Sequence, residues 1–178
     1  MRKYLFLLLA LSVIATCNAQ EFNTPDAEPL LYKLPLPVNK ENGKVEFQEV
    51  LDVAGKSKEE IYTLSREWFA QKNGSANVVL QLEDKESGVL IGKGKSGDAD
   101  FLIKVEAKDG SAYYTMTDIV YSYPSQQKTY PAAEFLADKN LYKSNGSPNP
   151  TQQHLKEALL ITNDDIIDSL RRSLNKSR

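Results

Sequence analysis

The stretch from Lys44 to Tyr121 decides the fold: KVEFQEVLDV (44–53), SKEEIYTLSREWFAQK (57–72), ANVVLQLED (76–84), GVLIGKGK (88–95), FLIKVEAKDG (101–110) and AYYTMTDIVY (112–121). Read in order, it is a strand, a capped helix and four strands. In the first segment Val45, Phe47, Leu51 and Val53 share one parity, and Glu46, Gln48 and Asp52 take the other. That is the period-two pattern of a half-buried strand. Glu49 breaks the pattern. A bulge that resets the register is one reading, and an inward functional carboxylate is the other.

Ser57-Lys58-Glu59-Glu60 is a capping box, in which serine and glutamate satisfy each other's free backbone donors. Ile61, Leu64, Trp68 and Phe69 then fall on one face at helical spacing, and Asn73-Gly74 supplies a stop. The spacing predicts a helix from about Lys58 to Lys72, with Trp68 as a core anchor. Val78, Leu80 and Leu82 alternate with Val79 and Gln81. The polar turn Asp84 to Gly88 returns the chain antiparallel into Val89–Lys95. Phe101, Ile103, Val105 and Ala107 alternate with Lys104, Glu106 and Lys108, as in a sheet with one wet face. Lys108-Asp109-Gly110-Ser111 is a hairpin turn leading to the fifth strand.

Outward from this scaffold, residues 1–19 read as a signal peptide. Arg2 and Lys3 precede an apolar run from Tyr4 to Ala15, too short for the ~20 residues that span a bilayer. Cys17-Asn18-Ala19 places cleavage between Ala19 and Gln20. The alternative is a lipoprotein with Cys17 acylated, since Ile14-Ala15-Thr16-Cys17 resembles a lipobox, although Thr16 stands where a smaller residue is usual. Export to the periplasm or beyond is expected either way, with membrane contact only if Cys17 is lipidated. Cys17 is the sole cysteine, so the exported domain has no disulfide, thiolate metal site or cysteine nucleophile. Residues 20–43 form an irregular lead-in containing Pro25, Pro29, Pro35 and Pro37. Residues 44–178 make one α+β domain, with a long loop at 123–150 and a closing helix over about 151–174. In the helix Leu155, Leu159, Thr162, Ile166, Leu170 and Leu174 form one stripe. With 22 basic against 24 acidic residues, the chain lacks the concentrated positive surface that nucleic acid requires.

No motif calls for a cofactor. Gly92-Lys93-Gly94-Lys95-Ser96-Gly97 matches G-x-G-x-x-G, but a strand follows where a dinucleotide site needs a helix. Gly94-Lys95-Ser96 ends like a P-loop, but Val89 stands where its first glycine belongs. A bulge, a twisted edge strand or close approach of a neighbouring backbone explains the glycines. A metal site is not expected, because His154 is the only histidine and zinc needs three or four ligands. The acids Glu83, Asp84, Glu86, Asp98 and Asp100 match no cation loop.

Tyrosine is the one unusual abundance, nine in all. On a regular fifth strand Tyr113, Thr115, Thr117, Ile119 and Tyr121 point one way, and Tyr114, Met116, Asp118 and Val120 the other. Both faces are partly apolar. One meets the helices; the other is either covered by the 123–150 loop or presents an aromatic binding surface. The candidate ligand-binding residues are therefore Tyr113, Thr115, Thr117, Tyr121 and Tyr123.

Two groups of residues carry a family resemblance. One is Ser57-Lys58-Glu59-Glu60-Ile61-Tyr62 leading to Glu67-Trp68-Phe69. The other joins Leu82–Gly88 and Gly92-Lys93-Gly94 to Lys108-Asp109-Gly110 and Tyr114–Ile119. Over about Val45 to Ile119 the chain resembles a domain-of-unknown-function family of exported proteins from Bacteroides-like bacteria, described as having a TBP-like fold. The resemblance implies the order β-α-β-β-β-β-α, a curved antiparallel sheet with two main helices packed on one face. It carries over no catalytic residue, and a fold name does not bring DNA binding with it. Two functions are in play. One is a non-catalytic envelope domain binding a protein, glycan or small apolar ligand through the sheet face and the 123–150 loop. The other is a hydrolase using Glu49, Asp118 or His154.

Overall fold

The computed structural model describes residues 30–71, 76–123 and 128–176, with the side chain of Tyr123 left out. The readings at Cys17, Ala19, Gln20 and the Asn73-Gly74 stop lie outside the described residues. Strand β1 is Phe47–Asp52, helix α1 Lys58–Ala70, and strands β2 to β5 are Asn77–Asp84, Val89–Ser96, Ala99–Lys108 and Ser111–Tyr123. A short β6 (Lys128–Pro131), a one-turn α2 (Ala132–Phe135) and a long α3 (Pro150–Leu174) follow.

All strand pairs are antiparallel, in the order β1-β5-β4-β3-β2, with β6 also on β5. The chain enters at one edge as β1 and crosses one face as α1 to the far edge. It then returns strand by strand until β5 meets β1. α1 and α3 cover that face and bury Ile61, Leu64, Trp68 and Phe69 of α1 and Leu159, Ile166, Leu170 and Leu174 of α3. Against them lie Leu90, Phe101, Ile103, Val105, Tyr114 and Met116 of the sheet.

Local chemistry fixes where α1 starts. Both bonds of the capping box between Ser57 and Glu60 are present. A third cap arrives from the β4–β5 turn, where the Asp109 carboxylate accepts from the Lys58 backbone N–H at 2.7 Å. Gly110 N–H donates to Lys56 O, and Val53 N–H donates to Gly110 O, so this turn locks the β1–α1 junction.

The glycines of β3 have a packing role. A Cβ on Gly92 would press into the Phe69 ring, and one on Gly94 into the Phe101 ring. The close neighbours are aromatic side chains rather than backbone, and β3 is an interior strand rather than an edge. Large rings on α1 and β4 lie over small residues on β3, a complementarity that dense cores require.

Three local expectations are corrected. First, β1 pairs with β5 without a break from Phe47 opposite Met116 to Asp52 opposite Ser111, so there is no bulge at Glu49. Glu49 keeps its inward parity and accepts a hydrogen bond from Arg171 Nη2 of α3 at 2.5 Å. An edge strand tolerates this because the carboxylate lies at the rim of the helix layer, 37% exposed. Second, the bulges fall at β2, between Leu80 and Leu82, and on β5. There Leu102 and Asp100 pair with Thr117 and Val120, which leaves β5 one residue longer than β4. Asp118 sits in this bulge with φ +52, the only non-glycine residue with positive φ among those described.

Third, much of 128–150 is built rather than a structureless loop. β6 runs beside the end of β5, and α2 follows directly. A 3-10 turn forms at Asp138–Asn140, and Tyr142 bridges to Pro148. The segment is tied to α3 by Lys156, whose side chain is 1% exposed and donates to the Asp138 carboxylate at 3.0 Å. Polar ties also set the register of α3 on the sheet. Trp68 Nε1 donates to Ser169 Oγ at 3.1 Å, and the Tyr114 hydroxyl donates to Asn163 Oδ1 at 3.2 Å. Burial pushes the Tyr114 phenol well above its usual pKa, with Glu49 and then Asp164 adding to the shift.

Candidate functional site

Because both long helices pack on one side, the other face of the sheet carries its outward residues into solvent. Four cross-strand rows can be read from the register. One runs Val50, Tyr113, Glu106, Val89; the next Gln48, Thr115, Lys104, Ile91, Leu82. A third joins Thr117, Leu102, Lys93 and Val79, and a fourth Val120, Asp100, Lys95 and Asn77. Val50, Val79, Leu82 and Tyr113 are exposed. Between them the charges are partly paired. Glu106 lies 3.2 Å from Lys108 and 3.4 Å from Lys104, and Lys95 lies 3.6 Å from Asp100. Hydrogen bonding to Lys108 holds the Glu106 carboxyl below its usual pKa, and Lys104 adds to the effect.

The tyrosine cluster divides across the sheet. Tyr113, Thr115 and Thr117 do share the open face. The bulge at Asp118 then reverses parity, so Ile119 and Tyr121 turn into the core with Tyr114 and Met116. Tyr121 is 2% exposed; its ring packs on Phe135 at 4.9 Å, and its hydroxyl donates to Leu155 O at 3.3 Å. Tyr121 is therefore removed from the candidate surface, because a one-residue shift moves every later side chain to the other face. The side chain of Tyr123 lies outside the described residues. Of the described β5 tyrosines, Tyr113 alone shows its ring to solvent, with Lys108 Nζ 4.4 Å from the ring centre.

The hydrolase reading needs at least two of Glu49, Asp118 and His154 in one site. Instead each stands in its own setting. Glu49 pairs with Arg171, and Asp118 pairs with Lys44 at 2.5 Å. His154 lines a cleft of about 160 Å³ with Ser96, Asp98, Tyr121 and Thr162. In that cleft Ser96 Oγ bonds Thr162 Oγ1 at 3.1 Å rather than the imidazole. The three residues have separate surroundings: Glu49 meets α3 at Arg171, Asp118 sits in the β5 bulge with Lys44, and His154 lines the cleft at the start of α3.

A notch that the sequence did not reveal lies where β1 and β6 share one edge of β5. β1 ends its pairing at Met116 and β6 begins at Val120. The bulge spans the gap. The notch holds about 480 Å³ and is lined by Val45, Ile119, Val120, Pro131 and Ala132, with Lys44, Asp118 and Glu134 supplying charge.

An open antiparallel sheet with helices on one face defines an α+β domain of TBP-like architecture. Residues 47–122, which run from β1 into β5, match the model of the domain of unknown function (DUF4468) with TBP-like fold, and the chain carries a domain of that family. A DUF4468 family protein from Bacteroides ovatus ATCC 8483 is similar in structure, with a TM-score of 0.61 and 19% identity over 79% of this chain and 91% of that one. A TBP-like protein from Parabacteroides distasonis ATCC 8503 gives a TM-score of 0.47 and 22% identity over 72% of this chain and 94% of that one. At 19% identity the likeness to the Bacteroides ovatus protein is one of fold. No curated protein matches the chain. The residues that carry the family resemblance are scaffold residues: the Ser57 capping box, Gly92 and Gly94 under the rings, and Asp109 at the start of α1.

Proposed function

We propose that this chain is a non-catalytic, exported envelope domain that binds a protein partner through the sheet face opposite the helices. The observation that carries the reading is the one-sided helix cover, which leaves Val50, Tyr113, Val79 and Leu82 exposed on one surface. Single exposed apolar residues are ordinary, but contiguous ones mark an interaction surface, and Val50 and Tyr113 are direct cross-strand neighbours. The apolar groups are spread over three strands among paired charges, which suits a broad protein surface better than a small apolar ligand. A glycan platform fits less well, because Lys108 already occupies one side of the Tyr113 ring. The signal-like residues 1–19 support export.

The test is a paired substitution. Val50→Glu with Tyr113→Lys, which sets opposite charges across the β1–β5 pair, is expected to keep folding stability within about 1 kcal/mol, since both side chains are exposed. It should abolish co-purification of the bound partner from the envelope fraction. Retention of that partner by the folded double variant contradicts the reading.

A further inference from the structure

The notch between β1 and β6 is a second surface that borders the open sheet face at Val120, and we propose that it binds a small free alkylamine. Its volume, about 480 Å³, lies within the range of small-molecule sites. Its floor is apolar, from Val45, Ile119, Val120 and Pro131, and would take the alkyl stem. Charge complementarity selects the head group. Lys44 is committed to Asp118 Oδ1 at 2.5 Å, and its backbone N–H donates to Asn42 Oδ1. Two carboxylates, Asp118 and Glu134, line the notch with that one cation. An ammonium donates three hydrogen bonds and accepts none, so it suits the remaining carboxylate oxygens, whereas an anion would meet two negative groups.

A bulge with left-handed φ turns Tyr121 into the core here, and aspartate is one of the few residues besides glycine that adopt it. Its carboxylate is held at the mouth of the notch by the half-exposed ion pair with Lys44, with which an ammonium ligand would compete.

The experiment titrates the folded protein with butylamine, 1,5-diaminopentane and butyrate, following backbone amide NMR signals. Saturable shifts of Gly43, Ile119 and Ala133 are expected with the amines at Kd below ~10 mM, and none with butyrate. Asp118→Asn, which tolerates the same φ, should weaken amine binding at least about tenfold, and Glu134→Gln about threefold. Glu134 is exposed and off the bulge, so its variant reports even if the Asp118 variant fails to fold. Tighter binding of butyrate, no saturable amine shift, full amine binding by the folded variants, or a lysine peptide binding well above the free amines would each overturn the proposal.

Discussion

At Asp118 one residue changes the meaning of a whole strand. Period-two reading runs Tyr113 to Tyr121 along one face; the extra residue in β5 splits them between solvent and core. Asp118 is a residue type depleted in strands, but nothing local distinguishes a bulge from a polar position in a regular strand. Glu49 is the converse case, because its charge suggested a bulge where the register is regular. Sequence reports polarity, whereas a bulge is set by how β4 and β5 must align at both ends. If φ +52 at position 118 is required, Asp118→Val should cost about 1–3 kcal/mol, because a β-branched residue is strained there. Asp118→Asn should stay within about 1 kcal/mol. Urea unfolding midpoints separate the two, and equal midpoints for Val and Asn would contradict the assignment.

Among the elements, α1 was the most legible, because capping box and apolar spacing both report local physics. The structure adds what locality hides: Asp109, fifty-one residues on, caps the same helix end. Ser57→Ala should cost about 1 kcal/mol. Asp109→Ala should cost a similar amount, by removing a charge-assisted bond to a backbone donor. Calorimetric melting of both variants checks this, and an Asp109→Ala protein that melts like the wild type would show that the turn does not support the helix. β6 was not legible, since Lys128-Thr129-Tyr130-Pro131 is short and ends in proline. Its place depends on β5 outrunning β1, a difference in strand length that no window of the sequence contains.

At the scale of the molecule, the alternation in β4 and β5 already implied a sheet with one wet face. Topology decides which residues occupy it. The return from the far edge puts Val79 and Leu82 of β2 on the same surface as Val50 of β1 and Tyr113 of β5. The candidate site was thus half legible: Tyr113, Thr115 and Thr117 lie on it, and Tyr121 belongs to the core. The helices hold the opposite side through Trp68–Ser169 and Tyr114–Asn163, leaving the open face outside the folding core. The most direct measurement is site-specific photocrosslinking in intact cells, with the reactive residue placed at Thr115 on the open face or at Arg172 on α3. A discrete protein adduct from Thr115 and none from Arg172 is the predicted result; equal adducts from both positions, or an adduct from Arg172 alone, would contradict the open face as the binding surface.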